Sequence, residues 1–385
     1  MTASGVIWMF REYAVRTLRP LLVCLLAWTA AGTALAGEAK RKVIIDDDGF
    51  SFMQMMLLEA DDVDVLGLTS VSGDVWANRA TAYALRGLEI IGRTDVPVVQ
   101  GATYPLLNSE AQTARWEALY GKLTWKGAWM KQWVEPTVQS TPPYFGPNDP
   151  VDLPPPWGNP KTKPEGEIAA NFLIRMVRKY PGEITIIEGG PMTNLALAQR
   201  LDPEFASLAR GLVFMGGSLN PHQALDNRVA ADFAREFANS PRREFNIRFD
   251  PEAASIVAHS PWRKITVIPV DPSTATQLSP ALLDRLAKAA RPDIAAFIAR
   301  LPPGFPLWDE IAAAVWLDPS LVTQQEPLFI DFNTQFSAGY GDMLSWRAGY
   351  QPGLGEQNAE VVRAIDPQRM ESLMLTLMAN SANRK

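Results

Sequence analysis

Three consecutive aspartates follow a short apolar run near the start of the chain. The segment KVIIDDDGF, residues 42–50, places Asp46, Asp47 and Asp48 directly after residues typical of a buried strand. Their charge is costly beside a core unless a cation, hydrogen bonds or water offsets it. We therefore expect a ligand at this strand end. Asp46 and Asp48 could ligate a cation, or act as nucleophile and acid in phosphoryl transfer, and a purely structural acidic turn is the third interpretation.

The elements that must position these carboxylates are read from the alternation along the chain. Short β-branched runs alternate with longer amphipathic segments, which is the pattern of βαβ units and predicts an α/β fold with a doubly wound, largely parallel sheet. In such sheets ligands bind beyond the carboxyl ends of the strands. Several polar or glycine positions follow predicted strands and are expected on one rim with Asp46 to Asp48: Asp74, Gly189, Gly190, Gly216, Gly217 and Asp271.

Composition limits the chemistry of the site. His222 and His259 are the only histidines and Cys24 is the only cysteine. A transition-metal site built from several histidines is therefore not expected, and thiol catalysis is excluded once Cys24 is removed. Oxygen ligands and a hard cation remain. The formal charge of −6 matches nucleic acids and anionic membranes poorly. We expect a small-molecule partner and no nucleic acid, and a homo-oligomer remains open.

The first 36 residues differ from the rest of the chain. Basic residues precede the apolar run PLLVCLLAWTAAGTALA, which ends in the small-x-small sequence Ala34-Leu35-Ala36. This pattern predicts an export signal over residues 1–36, a mature domain over residues 37–385, and a periplasmic or extracellular location. No stable membrane insertion is expected after cleavage, and an uncleaved anchor is the alternative.

A stretch of about residues 104–164 interrupts the alternation. It contains five of the twelve Trp residues and a proline-dense tail, PPYFGPNDPVDLPPPWGNP. A long insertion after a strand's carboxyl end can cover a site, and its aromatic rings could stack on a flat ligand. The alternative is a small core in which these Trp and Pro residues pack on one another.

Several motifs together resemble one enzyme family. VIIDDD, LGLTSVSGD, EGGPMTN, LVFMGGS, REFNIRFDPEAA and WDEIAAAVWLDP occur in this order over residues 42–319, and the set resembles the nucleoside hydrolases of the inosine/uridine-preferring type. It looks most like a secreted bacterial-type branch with a GATYPLLN segment and a degenerate N-terminal Asp motif. The resemblance implies a Rossmann-like fold and Ca²⁺-assisted hydrolysis of the N-glycosidic bond of ribonucleosides to ribose and free base.

The resemblance also implies roles for individual residues around the cation. Asp48 matches the acid that ligates Ca²⁺ and accepts a proton from the attacking water. Asp309 matches a second carboxylate ligand, and Gly189 matches a ligand through its backbone carbonyl. Asp46 would ligate the cation directly or support the residues that do.

Substrate contacts are implied in the same way. Glu244 and Asn246 alternate in EFNI, so on a strand both would point to one face, where they would grip the vicinal hydroxyls of ribose. Asn239 would add a third contact, and Asp74 stands where the family usually has a ribose-binding Asn. Trp308 stands where purine-preferring relatives have a histidine that protonates the base, and its ring could stack on the base. His222 is the only residue that the sequence offers in place of that histidine as a proton donor to the base.

Two departures keep other functions open. The usual motif is D-x-D-P-G-x-D-D, whereas Asp48 is followed by GFSFMQMM, so one cation ligand and one ribose contact are missing. Asp47 or water could fill the place; otherwise the chain would be a non-catalytic nucleoside- or ribose-binding protein with a decayed metal site. A haloacid-dehalogenase-type phosphatase is the other alternative, although its D-x-D-G loop is followed by Thr or Val and here by Phe50.

Overall fold

The structure is a computed structural model that describes residues 39–133, 143–155, 157–219 and 244–382. Its strands form a nine-stranded sheet within these ranges, in the order β3-β2-β1-β4-β5-β6-β9-β7-β8. The strands are β1 (Arg41–Asp47), β2 (Val63–Ser70), β3 (Val98–Gln100), β4 (Ile184–Glu188), β5 (Gly211–Met215), β6 (Ile265–Ile268), β7 (Val322–Phe332), β8 (Met343–Trp346) and β9 (Gln357–Ile365).

Helices cover both faces of this sheet. None of the helices in the described ranges combines the length and the hydropathy needed to cross a membrane. The helices are α1 (Phe52–Leu58), α2 (Ala77–Ile90), α3 (Glu110–Tyr120), α4 (Ala169–Lys179), α5 (Thr193–Leu201), α6 (Phe205–Leu208), α7 (Phe245–Phe249), α8 (Pro251–Ala258), α9 (Pro280–Ala289), α10 (Pro292–Ile298), α11 (Asp309–Leu317) and α12 (Pro367–Ala382), with 3₁₀ turns at Gly127–Trp129, Asp271–Ala275 and Pro319–Leu321.

Strand β1 shows why its sequence is continuously apolar. Val43 and Ile45 face one core, which they share with α1, α2 and α9 to α12. Ile44 faces a second core on the other side of the sheet, with α4, α5, α6 and α8. Successive side chains of a strand point to opposite faces, so a central strand covered on both sides needs apolar residues throughout. The prediction of a doubly wound α/β fold is confirmed.

The sheet is largely parallel, as expected, with an antiparallel end. Strands β1 to β6 pair in parallel, and β9 continues this arrangement beside β6. Strand β7 pairs antiparallel with both β9 and β8. The antiparallel strands lie at the edge farthest from β1, so they take no part in positioning Asp46 to Asp48.

The prediction that EFNI forms a strand is wrong. Glu244 is instead the N-cap of the short helix α7, and its side chain accepts the backbone N–H groups of Asn246 and Ile247. Asp250 caps the next helix, α8, in the same way, with Pro251 at the first helical position. Acidic N-caps and a proline at the first position are signals of helix starts. These local signals outweigh the two-residue alternation that suggested a strand.

The Trp-rich insertion packs on the main body of the protein. The ring of Trp129 stacks on Phe249 at 4.3 Å between centroids, and the indole N–H of Trp116 donates to the carbonyl of Ser337 at 2.8 Å. Trp157 contacts the ring of Phe297 edge to face. The alternative of a separate Trp and Pro core therefore does not describe these three tryptophans.

Candidate active site

The aspartate cluster lies at the topological switch point of the sheet. The chain runs from β1 to β2 and β3 on one side and then returns to the other side of β1 as β4. This leaves a crevice beyond the carboxyl ends of β1 and β4, which is where ligands bind in open α/β sheets. Asp46 to Asp48 end or follow β1, and Gly189 follows β4, its N–H donating to the carbonyl of Asp46 at 2.9 Å. The predicted rim is therefore found in the structure.

Asp48 is held in a tight, buried position. Its side chain is only 6% exposed, and its Oδ2 atom accepts the backbone N–H of Asp74 at 2.6 Å. A Cβ atom at position 73 would lie 1.9 Å from that oxygen, so only glycine leaves room for it. Burial, together with the charges of Asp74 and Asp47, raises the pKa of Asp48 well above its usual value. A carboxylate of this kind is suited to accept a proton from a neutral group.

Asp47 and Asp309 meet over the backbone of Gly189. A Cβ atom on Gly189 would lie 3.0 Å from Oδ1 of Asp47, 3.2 Å from Cγ of Asp309 and 2.9 Å from Cε of Met53. Burial raises the pKa of Asp47 to about 7. Burial also raises the pKa of Asp309 well above its usual value, and the charges of Asp47 and Glu310 add to this effect.

Asp47 is a site residue to which sequence reasoning gave no role beyond a possible substitute. Its Oδ1 accepts the N–H of Asp48 at 2.8 Å, and its Oδ2 accepts the side-chain amide of Gln54. Gln54 is fixed in turn because it forms a capping box with Ser51 at the start of α1. The signal was present in the sequence as Ser51-x-x-Gln54, a helix-start motif.

The donor chemistry of the cluster fits a hard cation. Asp47, Asp48 and Asp309 are crowded together: the charge of Asp47 raises the pKa of Asp48, and the charges of Asp47 and Asp48 raise that of Asp309. A divalent cation would remove this repulsion, and carboxylate and carbonyl oxygens are the ligands that Ca²⁺ prefers. Within the described ranges, no three acidic, histidine or cysteine side chains are already close enough together to hold an ion. The ligands would therefore have to converge when the cation binds.

Asp46 supports the site from below. It is completely buried, its Oδ1 accepts the side-chain amide of Asn194 at 2.8 Å, and burial raises its pKa to about 6. Glu188, its partner across the β1–β4 pair, has a pKa raised well above its usual value by burial and by the charge of Asp46. With no exposed surface, Asp46 is placed to support its neighbours, and direct ligation of a cation stays a prediction. Its burial disfavours the nucleophile role that the phosphatase alternative requires.

Glu244 and Asn246 lie at the predicted site but are already hydrogen-bonded. The carboxylate of Glu244 accepts three backbone N–H groups, from Asn246, Ile247 and Gly217, and burial raises its pKa to about 7. The side-chain amide of Asn246 donates to the carbonyls of Gly189 at 2.8 Å and Met215 at 3.3 Å. Asn246 thus bonds to the carbonyl of Gly189, the group that was predicted to contact the metal.

The other predicted contacts are distributed around the rim. Asp74 is exposed at its edge and accepts the indole N–H of Trp125 at 2.6 Å. Trp308 is half-buried directly before α11, with its ring 6.1 Å from that of Phe305. Asn239 and His222 lie outside the described residues.

Two further residues tie the rim together and were not assigned roles from the sequence. Asn194 bonds to Asp46, accepts the N–H of Ala102 at 2.8 Å, and so links the ends of β1 and β3. Asp250 accepts the hydroxyl of Thr193 at 2.6 Å and the N–H of Leu106 at 2.9 Å. Asn194 belongs to the motif GPMTN and Asp250 to the motif FDP. The structural role of each residue is visible only when its contacts are known.

Comparisons with known proteins identify the family of the chain. The sequence model described as inosine-uridine preferring nucleoside hydrolase matches residues 43–372. Uridine nucleosidase 1 of Arabidopsis thaliana is 34% identical over 245 residues, which cover 63% of this chain and 60% of that protein. The inosine-uridine preferring nucleoside hydrolase of Leishmania major is 25% identical over 316 residues, covering 78% of this chain and 86% of its own.

A solved structure extends the agreement to the fold. The plant nucleoside hydrolase PpNRh1 matches with a TM-score of 0.64 over 88% of this chain and 99% of its own, at 23% identity. The family predicted from the ordered motifs is confirmed by the sequence model that matches residues 43–372. With a family match that spans most of its length and the expected rim of carboxylates at the switch point, the chain belongs to the inosine-uridine preferring nucleoside hydrolase family.

Proposed function

We propose that the protein hydrolyses the N-glycosidic bond of ribonucleosides by a Ca²⁺-assisted attack of water, with Asp48 as the general base. Family membership makes the chain an N-ribohydrolase. The observation that carries the finer proposal is the group of carboxylates at the switch point, with Asp47 and Asp309 beside Gly189 and Asp48 beside Gly190. The resemblance to proteins named uridine nucleosidase supports a nucleoside as substrate.

The carboxylate cluster suits the charge changes of this reaction. As the glycosidic bond breaks, positive charge develops on the sugar and the transition state resembles an oxocarbenium ion. Carboxylates that are already fixed in place stabilise this charge without reorganising during the reaction. Asp48 is fixed by the N–H of Asp74, so it can accept a proton from water while remaining beside the sugar.

The residues that would hold Ca²⁺ are Asp48, Asp309 and the carbonyl of Gly189. Asp47 is the residue best placed to replace the acid that is missing from the family motif, because its carboxylate faces Asp309 over Gly189. A bound Ca²⁺ would offset the negative charge of these groups and lower the pKa of the attacking water.

The proposed ribose contacts are made by oxygen atoms of Glu244 and Asn246 that can still accept a hydrogen bond. A carboxylate has about four lone-pair sites, and Glu244 uses three of them for backbone N–H groups. The remaining site can accept a ribose hydroxyl. The amide oxygen of Asn246 has no partner among the described residues and can accept another, with Asp74 and Asn239 as further contacts. Trp308 is proposed to stack on the base, since it directly precedes the proposed ligand Asp309 in the sequence.

Release of ribose from a panel of nucleosides tests the proposal. Inosine, uridine, adenosine, cytidine and their 2′-deoxy forms are incubated with the protein, with Ca²⁺ and with a chelator. We expect ribose from at least one ribonucleoside, loss of activity with the chelator, and poor hydrolysis of the 2′-deoxy forms, which lack one of the gripped hydroxyls. A Ca²⁺-loaded protein that binds nucleosides and releases no ribose would instead be a binding protein.

We further propose that the protein is exported and that residues 1–36 are removed. The support is the basic segment, the apolar run and the Ala-Leu-Ala sequence before Gly37. Intact-mass measurement of the exported protein is expected to give a chain that begins at Gly37. A mass that still includes residues 1–36 would contradict cleavage.

A further inference from the structure

The Trp-rich insertion contacts two parts of the site that are far apart in the sequence. Its tryptophan segment, residues 122–133, reaches the β2 side of the rim, where the N–H of Ala128 donates to the carbonyl of Gly73 at 2.8 Å. On the other side, the guanidinium of Arg248 donates to the carbonyl of Trp125 at 2.5 Å. The ring of Trp125 also packs edge-on against Phe245, at 6.3 Å between centroids. The segment therefore bridges Gly73-Asp74 and α7.

The approach of this segment to the rim is unusually close. Gly127 has a φ of +54°, and a Cβ atom there would lie 2.2 Å from the carbonyl oxygen of Gly73. Only glycine tolerates both the left-handed backbone and this distance. The two rings of Trp125 and Trp133 stack at 5.0 Å with 29° between their planes, which holds the Trp125 indole in one orientation.

One contact of this segment is directed at a residue of the site. The indole N–H of Trp125 donates to Oδ1 of Asp74 at 2.6 Å, while the backbone N–H of Asp74 donates to Asp48 at 2.6 Å. Asp74 is exposed, so its carboxylate would otherwise rotate in solvent. A charge-assisted hydrogen bond from a fixed ring restricts it to one orientation.

The fold of the segment does not depend on this hydrogen bond. Trp129 is stacked on Phe249 at 4.3 Å, and Lys126 forms an ion pair with the buried Glu117 at 3.2 Å. The N–H of Ala128 is bonded to the main chain. These anchors hold the segment against the main body independently of Trp125, whose indole reaches an exposed acid at the rim.

We propose that Trp125 is a positioning residue of the nucleoside site, which holds the Asp74 carboxylate in the orientation that accepts a ribose hydroxyl. This inference rests on the proposed function, because it gives Asp74 its part in binding the sugar. The insertion would then be part of the active site, because Trp125, which lies outside the family motifs, orients the carboxylate of Asp74 toward the substrate.

Two matched variants test the inference. Trp125→Phe keeps an aromatic ring and removes the N–H donor, and Trp133→Phe makes the same change in the stacking partner. We expect Trp125→Phe to lower kcat/KM for ribonucleosides by about 10- to 100-fold, the range for a lost hydrogen bond to a charged group, mainly through KM. Trp133→Phe should change kcat/KM by less than about 3-fold. Melting temperatures of both variants check that they remain folded.

A double-mutant cycle separates positioning from a purely structural role. If Trp125 acts through Asp74, Trp125→Phe should have little further effect in an Asp74→Ala background, because the orientated group is gone. Equal losses for the two Trp variants, or losses for Trp125→Phe and Asp74→Ala that simply multiply, would overturn the inference. The proposed function fails separately, when the wild-type protein itself releases no ribose, and the inference then falls with it.

Discussion

The two edges of the sheet differ in the sign of most of their charges and in whether these charges have partners of opposite sign. At the carboxyl edge Asp47, Asp48 and Asp309 are crowded, and the charges that act on them most are those of other carboxylates. The amino edge borders a cleft of about 520 Å³ whose lining includes four basic residues and two glutamates: Arg41, Lys42, Arg210, Lys264, Glu183 and Glu360.

Two of the basic residues at the amino edge have acidic partners. Arg41 pairs with Asp62 at 2.7 Å, and Lys42 pairs with Glu183 at the same distance. The hydrogen bond to Glu183 raises the pKa of Lys42, which means that the charged form is favoured. The pKa values at the carboxyl edge are raised because the charged forms are disfavoured. Among the described residues of the two edges, Arg41 and Lys42 have acidic partners, whereas Asp48 and Asp309 are surrounded by other carboxylates. The second arrangement is expected of a site that binds a cation and a developing positive charge.

The largest expected effect separates the edges by activity. Asp48→Asn keeps the size of the side chain and removes the proposed base, so we expect turnover to fall by about 10²- to 10⁴-fold, the usual contribution of general base catalysis. Lys42→Met at the amino edge should leave turnover unchanged. Steady-state kinetics of both variants decide the matter, and unchanged turnover in Asp48→Asn would refute the assignment of the base.

The second effect concerns the cation. Ca²⁺ at about 100 times its Kd should stabilise the wild-type protein by about 2.7 kcal/mol, measured as a rise in Tm. Asp309→Asn removes one repelling charge, so its Tm without metal should be higher than that of the wild type, while most of the Ca²⁺-dependent rise is lost. An equal Ca²⁺ effect in both proteins would show that the cation binds elsewhere.

The third effect is the pH dependence of the metal-free protein. Asp46 has a pKa of about 6, and Asp47 and Glu244 have pKa values of about 7, whereas the same groups in the unfolded chain lose their protons near pH 4. Between these values the folded chain binds more protons than the unfolded chain, so stability falls as the pH rises. We expect Tm in a chelating buffer to decrease from pH 5 to pH 8, and a rising Tm over this interval would contradict the raised pKa values.

The smallest effect belongs to the amino edge. Lys42→Met breaks an ion pair whose Glu183 side chain is 53% exposed, and exposed pairs contribute little to stability. We expect Tm to change by less than about 3 °C, with the same dependence on pH as in the wild type. A large loss of stability would mean that the two edges differ less than their surroundings indicate.

The sequence predicted the sheet and the rim because both depend on patterns within a few residues. Alternating apolar runs indicated the parallel strands, and aspartate or glycine after each run indicated the edge at which they end. The motif order then identified the family. These signals did not reveal the supporting bonds of Asn194 and Asp250, because their partners lie in distant parts of the chain.

Glu244 shows where such reasoning reached its limit. Alternation over EFNI indicated a strand, but a helix cap is determined by where a side chain finds unpaired N–H groups, and Glu244 finds those of α7 and of Gly217. In the same way, composition alone could not tell whether the insertion packed on itself. That depended on surfaces such as Phe249, which only the folded protein presents to Trp129.

Met53 packs beside Gly189 on the rim, where oxidation of its sulfur would disturb the site. Met53 is fully buried, and its terminal methyl group lies beside Gly189, near which Asp47 and Asp309 also lie. Conversion to the sulfoxide would add a polar oxygen to a group that has no space for it. Cys24 is the only cysteine, so oxidation could form no disulfide within the chain. Because Met53 is fully buried in the folded protein, peroxide would reach it only when the surrounding structure opens, and a sulfoxide formed there would be reversed by a methionine sulfoxide reductase.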